Sequence, residues 1–120
     1  MDSLQRKITT FIVDDEEKSV SNLEYFLNNY CKTFEIVGTS TSSFEALSQI
    51  RDLKPQLLFL DINMPKMNGF ELLKLIDNNE LVVVFVTAHS EFGIEAIKNN
   101  VFDYLLKPIS IKELLSLEKK

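Results

Sequence analysis

Five short apolar runs punctuate the chain: "ITTFIV" (8–13), "FEIVGT" (34–39), "QLLFL" (56–60), "LVVVFV" (81–86) and "DYLLK" (103–107). Three of them are nearly continuous, which suits strands buried on both faces of a helix-covered parallel sheet better than the alternation of a half-wet sheet. Between the runs the period changes to that of a helix. Val20, Leu23, Leu27 and Tyr30 recur at helical spacing, as do Phe44, Leu47 and Ile50, then Phe70, Leu73 and Ile76. Ser42 with Glu45, Asn68 with Glu71 and Ser110 with Glu113 stand at capping-box spacing and mark helix starts. The segment Ser90 to Asn99 holds Gly93 and a thin apolar face of Ile94, Ala96 and Ile97, so a short, mobile helix is expected there. The predicted fold class is α/β, a (βα)5 doubly wound five-stranded parallel sheet.

With 120 residues, 45% of them hydrophobic, the chain suffices for one domain with a real core. Its net charge of −5 and lack of any Lys or Arg run argue against nucleic-acid binding by this segment itself. A single cysteine, Cys31, cannot form an internal disulfide and reads as a passive small residue near a helix end. No secretory h-region opens the chain, and no apolar run approaches the roughly 18 residues that span a membrane. The expectation is a cytoplasmic protein with no membrane partner.

In open α/β sheets, ligands bind outside the carboxyl ends of the strands. The polar residues at those ends are Asp14 and Asp15 after the first run, Asp61 after the third, Thr87 after the fourth and Lys107 after the fifth. Adjacent carboxylates repel and raise at least one pKa. A hard cation such as Mg2+, which takes oxygen ligands, offsets that cost. A hydroxyl and a fixed ammonium beside such a centre suit a transferring phosphoryl group, with Asp61 as the candidate nucleophile.

The stretches "VDDEE", "LFLDINMPKMNG" and "VFVTAHSEFGIEAIKNNVFDYLLKP" together resemble the receiver domain of two-component response regulators over essentially the whole chain. The wording "AIKNNVFDYLLKPI" is most similar to receivers that precede a LytTR-type DNA-binding domain. The resemblance implies a flavodoxin-like sheet of strand order 2-1-3-4-5, and phosphorylation of Asp61 by a sensor histidine kinase or a small phosphodonor. It implies Mg2+ ligation by Asp15, Asp61 and the backbone carbonyl of Asn63, with Asp14 helping through water and holding Lys107. It assigns Thr87 to the phosphoryl group as a hydrogen-bond donor and Lys107 as its ion-pair partner. Tyr104 becomes the aromatic that changes rotamer on activation, and the Lys107-Pro108 bond is cis. Such a domain is no enzyme in the usual sense, catalysing only its own phosphorylation and dephosphorylation. Its output is a phosphorylation-dependent homodimer through the fourth helix, fifth strand and last helix, controlling an effector, most simply transcription. The chain reads as an excised receiver, with DNA bound by a missing C-terminal domain, or as a single-domain regulator.

Each residue also has a plainer reading. Adjacent Asp residues at a strand end commonly cap the next helix, and "INMPKMNG" supplies turn geometry in any protein. Thr87 suits a strand end, Lys107 a solvated loop and Tyr104 a core, while His89 is an exposed loop residue that at most tunes water access. An aspartyl phosphohydrolase would need a second acid two residues after Asp61, where Asn63 stands. A degenerate receiver acting as an interaction module would have lost site residues, and all five are kept.

Overall fold

The computed structural model describes residues 7–76, 80–88 and 101–119. In chain order these form β1 (Ile8–Val13), α1 (Glu17–Tyr30), β2 (Phe34–Ser40), α2 (Ser43–Leu53), β3 (Leu57–Leu60), α3 (Gly69–Leu75), β4 (Val82–Thr87), β5 (Asp103–Leu106) and α4 (Ile111–Glu118). The strands pair in parallel in the order β2-β1-β3-β4-β5. The expected helix over Ser90 to Asn99 and the loop residue His89 lie outside the described residues.

The near-continuous apolar runs have a direct cause, because successive side chains of a strand point to opposite faces and here both faces are covered. Phe11, Val13, Leu58, Leu60 and Phe85 face one way, packing with Ala46 and Ile50 of α2 and Phe70 and Leu72 of α3. Ile12, Phe59, Val84, Val86 and Leu105 face the other, packing with Val20, Leu23 and Leu27 of α1 and Leu114 and Leu117 of α4. Cys31 is fully buried in this second layer, and burial pushes its thiol up to about 11, which leaves it unreactive.

Two helix faces differ from the sequence expectation. Phe44 is 57% exposed, and the buried side of α2 is Ser43, Ala46 and Ile50. Small residues are needed there because Met64 and Met67 fill the same space, and Ser43 Oγ donates to Met67 O at 2.7 Å. Tyr30 is also exposed, its ring edge-on to Tyr25, and the buried position at that end of α1 belongs to Cys31. All three predicted caps form, with the reciprocal capping box present at Asn68/Glu71 and Ser110/Glu113. Ser42 accepts from the Glu45 N–H alone.

Candidate functional site

The parallel ladder continues one residue beyond several strand ends, which fixes the site's backbone. Asp14 N–H donates to Ser40 O at 3.1 Å, Asp61 N–H to Val13 O at 2.9 Å, and Lys107 N–H to Thr87 O at 2.8 Å. Residues far apart in the chain are thereby held at neighbouring sheet positions. Asp14 and Asp61 are buried and Asp15 is exposed, and one carboxylate oxygen from each lies within 4.8 Å of the others. Lys107 Nζ stands 2.7 Å from Asp14 Oδ2 and 3.5 Å from Asp61 Oδ2. Thr87 is fully buried at the tip of β4. The peptide bond between Lys107 and Pro108 is cis.

Neither Asp14 nor Asp15 caps α1. The N-cap is Glu16, whose side chain makes no capping bond, while Asp14 Oδ1 accepts the Glu16 N–H at 3.0 Å. Lys107 is not a solvated loop cation either, since its side chain is 18% exposed and ion-paired. Asn63 is exposed, and its N–H donates to Asp61 Oδ1 at 3.3 Å. Tyr104 pairs in register with Phe85 and is half-buried against the layer that contains it. It is therefore not simply a solvent-facing ring.

The electrostatics follow from this crowding. Burial, then the Asp14 charge, push the Asp61 carboxyl up to about 6, against the pull of Lys107 and the Asn63 N–H. Asp15 is raised by burial and by its neighbours Asp14 and Glu16. Burial pulls Lys107 down, but the Asp14 hydrogen bond and the charges of Asp61, Asp14 and Glu16 outweigh it and leave the ammonium raised. Glu16 is held below its usual range by the Ser19 hydroxyl and by Lys107. With one carboxylate oxygen each from Asp14, Asp15 and Asp61 gathered within 4.8 Å, the cluster is a candidate donor set for a hard cation.

Two contributors were not singled out from the sequence. Glu16 places its carboxylate 3.4 Å from Lys107 Nζ, and the run of four acids in "DDEE" was its only signal. Gly69 reads as a turn residue, but its φ is not in the left-handed region. A Cβ there would stand 2.7 Å from Asp61 O and 3.0 Å from Ile62 Cα, so the glycine lets α3 approach the end of β3. The left-handed residue of that loop is Lys66, with φ 69°. Met67 N–H donates to Pro65 O at 2.7 Å across it, a tight three-residue turn.

The response regulator receiver domain family matches residues 10–118. The chain is a receiver domain of a two-component response regulator. An uncharacterized response regulatory protein of Shewanella oneidensis is 44% identical over 114 residues, covering 94% of this chain and 48% of that protein. The transcriptional regulatory protein BtsR of Salmonella typhi is 41% identical over 108 residues, covering 89% of this chain and 45% of BtsR. The receiver thus spans about half the length of the curated relatives it matches. Among solved structures, the response regulatory domain of Klebsiella pneumoniae mrkE superposes with a TM-score of 0.85 at 30% identity, covering 93% of each chain. The response regulator domain of Thermotoga maritima CheB gives 0.83 at 31% identity and 95% of each chain. Among the described residues, no helix is long and apolar enough to cross a membrane.

Proposed function

We propose that this receiver takes a phosphoryl group on Asp61 from a sensor histidine kinase or a small phosphodonor, and passes the change to an effector. The observation that carries the reading is the meeting of Asp14, Asp15, Asp61 and Lys107 at adjoining strand ends, with an ammonium 3.5 Å from the acceptor carboxylate. An Asp61 oxygen forms the new bond to phosphorus as the bond from phosphorus to the donor's leaving group breaks, and the electron pair departs with that group. Lys107 stands where it can pair with the transferred oxygens, and Thr87 ends the neighbouring strand as their hydroxyl donor.

The three carboxylates fit a hard divalent cation, so Asp15, Asp61 and the Asn63 carbonyl would hold Mg2+, with Asp14 assisting through water and anchoring Lys107. Bound there, the ion supplies positive charge that makes phosphoryl uptake by an acidic pocket electrostatically possible. The protein's own contribution is placement, through the extended ladder and the close approach at Gly69.

Output would run from Thr87 along β4 to Tyr104, whose ring lies between the layer below and the surface. Phe102, Leu106 and Leu115 are exposed apolar side chains on β5 and α4 and its approach, which suits phosphorylation-dependent self-association through that side. The kinase would meet α1, where a cavity of about 510 Å3 opens between Asn22, Phe26 and Ile109 beside Lys107. The name of BtsR, a transcriptional regulatory protein, supports transcription as the controlled process. In such a protein a LytTR-type domain beyond the receiver would bind DNA, and the whole would act in the cytoplasm. Incubation with acetyl phosphate tests the reading: an acid-stable, base-labile phosphoryl group should appear with Mg2+ and vanish with chelator or in Asp61→Asn. Equal labelling of that variant contradicts it.

A further inference from the structure

Glu16 stands as near to the site's cation as Asp61 does: its carboxylate is 3.4 Å from Lys107 Nζ, against 3.5 Å for Asp61 and 2.7 Å for Asp14. An ammonium has three donors, and these three carboxylates surround it. The Glu16 side chain is held in place from one helical turn on, where Ser19 Oγ donates to Oε1 at 3.1 Å. The same Oε1 accepts from Lys107, and the Glu16 N–H donates to Asp14 Oδ1. One residue therefore touches both members of the Asp14–Lys107 pair. Its side chain is 67% exposed, so its charge also faces whatever approaches from solvent.

Resting on the reading that Asp61 takes up phosphoryl, we infer that Glu16 is a positioning residue acting through Lys107, which slows the uptake of small anionic phosphodonors. It does so in two ways. Glu16 draws on a share of the ammonium that would otherwise attract the incoming phosphoryl oxygens. It also adds a fixed negative charge at the mouth of a crevice that already holds three carboxylates, and a doubly charged donor is repelled as it enters. A donor carried in by a docked protein is held by contacts elsewhere and feels this barrier less. The residue thus biases the receiver against free metabolic phosphodonors and in favour of a docked one.

Glu16→Gln isolates the charge, because the amide oxygen can still accept from Ser19 and Lys107, and Glu16 makes no side-chain capping bond that the change could remove. Initial rates of Asp61 labelling by acetyl phosphate, with saturating Mg2+, are compared for wild type and variant. The two conditions are about 0.1 M and about 1 M ionic strength, where screening lengths are about 10 Å and about 3 Å. The variant should label about three-fold faster at the lower ionic strength, in the regime where rate is proportional to donor, and converge on wild type at the higher. Ser19→Ala, which frees the carboxylate from its tether, should move the rate the same way by less. Equal rates, a slower variant, or a gain indifferent to salt overturns the inference alone. A wild-type protein that takes no label on Asp61 removes the functional reading, and this inference with it.

Discussion

Asp61 carries a cost that can be measured without any phosphodonor. Its folded-state pKa of about 6 lies above the ordinary 3.8, so the folded protein binds more protons than the unfolded chain across that interval. Stability from this group is therefore undiminished below about pH 4, falls between about pH 4 and 6, and stays reduced above about pH 6. After allowance for solvent at the crevice mouth, the loss is on the order of 2 kcal/mol. Asp61→Asn should accordingly be more stable than wild type at neutral pH in chelator, and the gap should close toward pH 4. Denaturant unfolding at several pH values checks this, and a variant less stable at pH 7 would contradict it. Gly69 gives a second test at the same scale. Alanine near a helix start ordinarily gains stability over glycine, but here the Cβ would meet the backbone of residues 61 and 62. Gly69→Ala should lose about 1 to 3 kcal/mol and label more slowly, as measured by thermal unfolding and acetyl phosphate uptake.

At the scale of elements, the strands were legible because burial on both faces writes itself as continuous apolar sequence. All five lie within about a residue of their expected ends. Helix starts were legible through their caps. Helix faces were less so: Leu47 and Ile50 pack inward as their spacing implied, but Phe44 is exposed, and the small residues Ser43 and Ala46 are buried instead, beside Met64 and Met67 of a distant loop. The site was legible for a related reason, since strand ends in a parallel sheet gather whatever polar residues terminate the apolar runs. Glu16 was missed because nothing local says that the acid after the Asp pair turns toward a lysine 91 residues away. Between elements, the proposed route from site to surface runs from β4 to β5, where Thr87 pairs with Leu106 and Tyr104 with Phe85. Thr87→Ala should still accept phosphoryl on Asp61, while the change at Tyr104 and any self-association fail to follow. Tyr104 ring resonances and sedimentation, with and without beryllofluoride, would show this. Equal dimerisation of wild type and variant would break the proposed coupling.

For the molecule as a whole, one sheet does two jobs: it builds two apolar layers, and it brings residues 14, 15, 61 and 107 to one edge of them. The net charge of −5, with no Lys or Arg run, is the ground for the proposal that this segment does not bind DNA through its own field. The central claim is that the acid at the end of β3, and no other, is the acceptor. Its most direct test is peptide mapping of the wild-type protein after incubation with acetyl phosphate and Mg2+, with the acyl phosphate trapped by borohydride reduction. The expected result is modification confined to Asp61; modification of Asp14, Asp15 or Glu16 in its place, or of no carboxylate at all, would contradict it.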